Sequence, residues 1–260
     1  MTGTRNYHVI LGGDKSKTRK IKNGVPQGSL LAPTLFNVYM SAMPTKSSKK
    51  LGYTDDWVLA YQSDNWQELE ETLTEDTTLI KSYFDKWYLR MNTTKTVASV
   101  FHLNNHEAKR TLQVKAGETT LPPDQFPKYL GVTLDRTLSY QTHLKGCANK
   151  IAKRNNLLKK VAGTQWGASQ TVLRTTAVAL CYSAAEYCAP AWTRSQHTRV
   201  VDTKLRETMR ITSGCLKSTP TQWLPVASSI APPHLRREEV NQKWIKTSRK
   251  TPGTFQFSKS

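Results

Sequence analysis

The chain has 260 residues, 37% of them hydrophobic, which suits one large domain or two small ones with a true core. Its formal charge of +19 is uneven: residues 1–136 carry 18 Lys and Arg against 14 Asp and Glu, a balance of +4, while residues 137–260 carry 20 against 5, a balance of +15. No apolar run nears the roughly twenty residues that span a bilayer, no apolar leader opens the chain, and Cys147, Cys181, Cys188 and Cys215 form no Cys-x-x-Cys pair, so a membrane protein, a secreted disulfide scaffold and a zinc ribbon are all disfavoured.

In chain order, Tyr7–Leu11 and Lys20–Lys22 flank Gly12-Gly13-Asp14 and read as a hairpin with a glycine turn. Pro26-Gln27-Gly28 then makes a tight approach to a helix over about residues 31–43, with Pro33 in its first turn, where proline is tolerated. Leu51–Thr54 and Trp57–Tyr61 read as two strands with Asp55 and Asp56 at the tip between them. Taken alone, an Asp pair there reads first as a polar turn. Two adjacent carboxylates also repel, and a hard divalent cation relieves that repulsion; Mg²⁺ takes one or two protein carboxylates together with substrate phosphates.

From Asp64 to about Leu89, Trp66, Leu69, Leu73, Ile80, Phe84 and Trp87 keep three- and four-residue spacings, which predicts a packing helix. Lys95 lies in the loop before an expected strand, Val97–Phe101. His102 and His106, without a Glu or Cys partner, read as a surface loop rather than a zinc site. Leu112–Leu121 reads as a hairpin through Gly117, and Tyr129–Val132 as a strand. Beyond Leu138 the pattern turns helical and basic: Leu144, Cys147, Ala148, Ile151, Leu158 and Val161 form one stripe, while Lys150, Lys153 and Arg154 project from another face and suit a phosphate backbone. A further helix over about Thr171–Tyr187 is expected to be buried, and the stretch after Glu238 reads as a polar tail.

Several longer strings recur in one family. Asn23-Gly24-Val25-Pro26-Gln27-Gly28-Ser29 runs into Leu30-Leu31-Ala32-Pro33-Thr34-Leu35-Phe36-Asn37, and Tyr53-Thr54-Asp55-Asp56 follows. Leu89-Arg90-Met91-Asn92, Tyr129-Leu130-Gly131-Val132, Ala185-Glu186-Tyr187-Cys188-Ala189-Pro190-Ala191-Trp192 and Pro232-Pro233-His234-Leu235-Arg236-Arg237 come after, in order. Together they resemble the reverse transcriptase of non-LTR retrotransposons, of the jockey-like group.

The resemblance implies an α+β chain: a partial right-hand polymerase palm over 1–137, an antiparallel sheet with packing helices, then a helical, basic thumb over 138–237 and a tail over 238–260. It implies templated DNA synthesis, with Asp55 and Asp56 as catalytic residues holding Mg²⁺, for which Mn²⁺ can stand in, and Lys95 near the leaving pyrophosphate. Pro26, Gln27, Gly28 and Tyr53 would meet the nucleotide and template, Tyr129, Leu130 and Gly131 would support the primer, and Lys150, Lys153 and Arg154 would hold its backbone. The partners would be an RNA template, a DNA primer and deoxynucleotides, with no membrane, in the nucleus or cytoplasm. The family's third carboxylate precedes the Pro-Gln-Gly segment; only Asp14, at a hairpin tip, is acidic among the 23 residues before Gly24. The fingers and the first palm motif are therefore expected to be missing, and the chain alone to be weak or inactive, or a remnant that binds nucleic acid without chemistry.

Overall fold

A computed structural model describes residues 5–21, 24, 28–104, 106–163 and 167–250. The chain divides into two compact units: one runs to Thr96 and includes Leu112–Pro122, and the other holds Val97–Thr111 and the chain from Pro123 onward. Among the described residues the strands form separate antiparallel pairs rather than one continuous sheet, and helices make up most of the rest, so the architecture is α+β.

In the first unit, β1 (Arg5–Tyr7) and β2 (Ile10–Leu11) lead to β3 (Asp14–Lys15) and β4 (Arg19–Ile21); β1 pairs with β4 and β2 with β3. Gly12 and Gly13, at φ +59° and +94°, make the turn, a conformation only glycine adopts without cost. Asp14, expected at the tip, instead begins the returning strand opposite Leu11. Helix α1 (Ala32–Ser41) starts on Pro33, whose missing N–H costs nothing in a first turn. The hairpin of β5 (Lys49–Tyr53) and β6 (Asp56–Ala60) follows, then α2 (Trp66–Lys86), capped by the Asn65 side chain, which accepts from the N–H groups of Gln67 and Glu68.

These elements share a core of Met40, Met43, Ile80 and Tyr83, against which Phe36, Trp57 and Phe84 pack. Of the aromatic stripe expected on α2, Phe84 joins this core while Trp87 stays 43% exposed. One buried group has no counterpart in the apolar pattern. Asp76 is fully buried on α2 and accepts the backbone N–H groups of Lys46, Ser47 and Ser48 at 2.5, 3.3 and 2.7 Å, tying the chain entering β5 to the helix. A second hairpin, β7 (Lys115–Ala116) and β8 (Thr119–Thr120), turns at Gly117 and is held to α2 by hydrogen bonds from Gln113 N–H to Glu70 and from Lys115 N–H to Thr74.

In the second unit, the strand expected over Val97–Phe101 reduces, among the described residues, to one bridge between Ala98 and Pro123. The strand expected over Tyr129–Val132 is a tight hairpin of β9 (Lys128–Tyr129) and β10 (Val132–Thr133). Leu130 and Gly131 turn it with φ of +45° and +81°, the paired positive values of a two-residue loop that follows strand twist. Helix α3 (Gln141–Val161) is capped from a distance: Asp135 accepts from the N–H groups of Ser139 and Gln141 at 2.7 and 3.1 Å.

The helical layer continues through α4 (Gln170–Ala177), a π-helical turn over Val178–Tyr182, α5 (Ser183–Glu186), α6 (Ala189–Trp192), α7 (Arg199–Ser213), α8 (Leu224–Ser228) and α9 (Pro233–Lys250). Leu144, Ile151, Tyr182, Trp192, Val201 and Met209 are wholly or almost wholly buried at its centre. Asn155, fully buried on α3, accepts from the Thr208 hydroxyl at 2.6 Å and donates to the Lys204 carbonyl at 3.1 Å, joining α3 to α7. Residues 238–250, expected in a polar tail, prolong α9. Arg236 grips Glu186 at 2.5 and 3.0 Å, Arg237 pairs with Asp202, and Val240 packs on the core. Among the described residues no helix is long and apolar enough to cross a membrane.

Candidate active site at the aspartate hairpin

Tyr53 and Asp56 face each other at the end of the β5–β6 ladder, so Thr54 and Asp55 alone make the turn and the two acids fall at its tip. Thr54 takes φ +52°, a costly backbone for a β-branched residue and one that holds the turn in a single shape. Its hydroxyl lies 2.9 Å from Asp55 Oδ1 and 2.7 Å from the Tyr53 carbonyl, and its one proton serves either acceptor. Trp57 fastens the tip from behind, donating Nε1–H to the Thr54 carbonyl at 3.1 Å. The Trp57 ring lies over Gly52, its cross-strand partner, where a Cβ would stand 2.5 Å from the ring. A glycine beneath an aromatic is a recognised way of pinning strand register.

Asp55, Asp56 and Tyr53 are exposed, Tyr53 by 61%. Beside them a cavity of about 250 Å³ runs between α1 and the hairpin, lined by Phe36, Asn37, Met40, Lys50, Thr54 and Trp57. Two solvent-reached carboxylates on a stiffened tip suit a hard cation that keeps part of its water shell, as Mg²⁺ does. Among the described residues no three His, Cys, Asp or Glu side chains gather into a metal-binding set.

Of the other residues singled out by sequence, Gly28 is exposed and adopts φ +86° just ahead of α1, while Pro26 and Gln27 lie outside the described residues. Lys95 is exposed in a turn built on Asn92, whose carbonyl and side-chain oxygen each accept from the Lys95 N–H at 3.2 Å. In the second unit, the β9–β10 tip stands by α3 and α5 over a cleft of about 420 Å³ that brings Gly131 together with Lys150 and Arg154. Tyr187 donates its hydroxyl to the Leu130 carbonyl at 2.7 Å and props the tip from below. Lys153 is exposed on α3 and does not line this cleft.

Sequence reasoning missed Lys128 and His143 in that cleft. The signal was available only for His143, which falls with Cys147, Lys150 and Arg154 on one helical face at spacings of four, three and four. Lys128 reaches it through the hairpin turn, which no periodicity announces.

Residues 3–134, about half of the chain, match the reverse transcriptase (RNA-dependent DNA polymerase) family. The chain belongs to the reverse transcriptase family. Its similarity to retrotransposon relatives fits a jockey-like reverse transcriptase. It is 32% identical over 152 residues to the RNA-directed DNA polymerase from mobile element jockey of Drosophila melanogaster, covering 54% of this chain and 16% of that relative. It is 29% identical over 164 residues to the probable RNA-directed DNA polymerase from transposon BS of the same fly, covering 60% and 18%. The retrovirus-related Pol polyprotein from type-1 retrotransposable element R1 2 of Nasonia vitripennis is 26% identical over 180 residues, covering 65% and 43%. The chain thus spans less than a fifth of the first two relatives. No solved structure matches it. The aspartate hairpin, α1 and the β9–β10 tip all fall inside the stretch matched by the reverse transcriptase family.

Proposed function

We propose that the chain carries the two-carboxylate centre of an RNA-directed DNA polymerase of a non-LTR retrotransposon and acts in templated nucleotidyl transfer. A primer 3′-hydroxyl attacks the α-phosphate of a deoxynucleotide, and pyrophosphate departs. The observation that carries this reading is the Asp55-Asp56 tip, stiffened by Thr54, Trp57 and Gly52, inside the stretch matched by the family.

Asp55 and Asp56 are the residues that would hold Mg²⁺, and both offer the hard oxygen donors it prefers. When bound, the metal supplies positive charge against the charge that develops on the phosphoryl oxygens. Lys95 would donate a proton to, or neutralise, the leaving pyrophosphate. Pro26, Gln27, Gly28 and Tyr53 would orient the nucleotide and template base; Gly28 suits this because a Cβ there would meet nothing within 4 Å, leaving its backbone open. Tyr129, Leu130 and Gly131 would support the primer, and Lys150, Lys153 and Arg154 its phosphates. In this reading the first unit corresponds to part of the palm and the α3–α9 helices to the thumb.

Two carboxylates make an incomplete clamp for two metals, and small misplacements of reacting groups cost about a hundredfold in rate. We therefore expect weak Mg²⁺-dependent extension of a DNA primer on an RNA template, abolished by Asp55→Asn. Extension that survives both Asp55→Asn and Asp56→Asn would sink the assignment. The basic cleft in the second unit favours one alternative, a module that grips a hybrid without chemistry. Hybrid binding that weakens with salt, with no extension at any Mg²⁺ or Mn²⁺ level, would select it.

A further inference from the structure

The β9–β10 tip is a strained turn that needs outside support. Leu130 sits at φ +45°, a left-handed backbone that costs free energy for any residue with a Cβ and persists only where its surroundings hold it. Support comes from the helical layer. Tyr187 donates its hydroxyl to the Leu130 carbonyl at 2.7 Å, and the backbone of Gly131, at φ +81°, lies against its ring, where a Cβ would stand 3.3 Å from Cε1. Both halves of the turn thus rest on one side chain, 57 positions along the chain from Leu130.

Tyr187 is itself held from behind. α5 ends at Glu186, Tyr187 leaves the helix with ψ 125°, and Cys188 turns the chain into α6 with φ +52°. Trp192, almost wholly buried, donates Nε1–H to the Tyr187 carbonyl at 3.0 Å and closes this bend on itself. α9 then clasps both sides of the bend: Arg236 grips Glu186 through two hydrogen bonds of 2.5 and 3.0 Å, and Arg237 lies 6.0 Å from the Trp192 ring centre. No α9 residue lines the cleft under the tip, so the route from α9 to the tip runs through Glu186, Trp192 and Tyr187.

We propose that Tyr187 is the positioning residue of the β9–β10 tip, and that it passes the seating of α9 on Glu186 to Leu130 and Gly131. The role rests on the reading that this tip supports the primer, and adds to it what sets the tip's shape. Tyr187 touches no reacting atom in this scheme; it acts through the carbonyl it holds. With the hydroxyl in place Leu130 keeps its left-handed turn. Without it the turn relaxes toward ordinary backbone, and the primer end loses a fixed support. A hydrogen bond of ordinary net strength changes such an equilibrium by about fivefold.

The test is NMR of the full chain labelled with carbonyl-¹³C leucine and ¹⁵N glycine, which selects Leu-Gly pairs. The sequence has three, Leu11-Gly12, Leu51-Gly52 and Leu130-Gly131, and the last is the signal that vanishes in Leu130→Met. Tyr187→Phe keeps the ring and loses only the hydroxyl. It should move the Gly131 signal, leave the other two in place, keep a single cooperative melt, and weaken binding of a primer–template hybrid by about fivefold with the KM for deoxynucleotide unchanged. Arg236→Gln and the milder Glu186→Gln should each move Gly131 in the same direction, and Tyr187→Phe combined with Glu186→Gln should move it by less than the sum of the two. An unmoved Gly131 signal in Tyr187→Phe overturns the positioning role; an unmoved signal in both Arg236→Gln and Glu186→Gln overturns the link to α9. If Gly131 moves while hybrid affinity stays at the parent's value, the tip is held by Tyr187 but does not carry the primer, and the role in the reaction falls. A parent chain that never extends a primer strikes at the polymerase assignment and leaves the Gly131 signal and hybrid affinity, which need no catalysis, to decide this one.

Discussion

Gly52 shows how much of the candidate site depends on one absent side chain. The Trp57 ring occupies the space a Cβ would need, so Gly52→Ala forces the ring off the strand and with it the hydrogen bond that anchors the Thr54 carbonyl. Overpacking of this kind costs about 1–3 kcal/mol. Urea denaturation should report that loss, and extension should fall further than stability because the aspartate tip loses its backing. Asp76 offers a second residue-scale prediction, with a pH sign. Burial works against its charge, but the Ser48 hydroxyl close by and the N–H groups of Lys46, Ser48 and Ser47 outweigh it and hold the carboxyl below its ordinary 3.8. A folded pKa below the unfolded one gives stability that is fully present above about pH 5 and is lost as pH falls through 3.8 toward the folded value. Asp76→Asn takes the charge from all three hydrogen bonds and leaves at least one N–H facing an amide donor instead of an acceptor, for about 1–3 kcal/mol at neutral pH. It should also flatten the acid limb of a stability-versus-pH curve; an unchanged acid limb would show that other carboxylates govern it.

At the scale of elements, α9 is held less by an apolar stripe than by two arginines. Arg236 lies 5.0 Å over the Tyr182 ring and grips Glu186, while Arg237 lies 6.0 Å from the Trp192 ring centre and pairs with Asp202, its side chain only 8% exposed. Removing one partner of a buried pair strands the other charge, so Arg237→Ala should cost about 3–5 kcal/mol, and Arg237→Ala with Asp202→Ala distinctly less than the sum of the singles. Additive losses in a double-mutant cycle would refute the coupling. The same dependence on charge explains why this helix was illegible: its few apolar residues read as a tail, and no periodicity shows an arginine reaching a carboxylate some fifty positions away. Helices α2 and α3 were legible because their spacing repeats every three or four residues, α1 because a proline marks its first turn, and the Asp55-Asp56 tip because two strands with a turn between them are local in sequence. Tyr129–Val132 misled for the opposite reason. An apolar run reads as one strand, but Leu130 and Gly131 both enter the left-handed region and reverse the chain within it. The cleft of Lys128, His143 and Arg154 needed that reversal, and so lay beyond what pattern alone could reveal.

Across the whole molecule, the charge asymmetry and the helical layer coincide. Residues 137–260, with a balance of +15, contain α3–α9, where the carboxylates of Glu186, Asp202 and Glu207 are already engaged by Arg236, Arg237 and Lys159. Among the described residues most of the remaining cations have no carboxylate partner, and a surface so composed attracts phosphate backbones through release of their counterions. Binding dominated by that release is steep in salt: with six to ten phosphates contacted, affinity for a hybrid falls by about a thousandfold or more between 50 and 200 mM salt. Anisotropy titrations at a series of salt concentrations should give a linear plot of log affinity against log salt. Affinity should also change little with base sequence, because contacts to the backbone do not read bases. The slope should be the same for Asp55→Asn as for the parent, since neither aspartate contacts the strand by cationic attraction. A slope near zero would mean that the basic half binds by some other chemistry, and would remove the physical reason for joining it to the aspartate hairpin in one nucleic-acid enzyme.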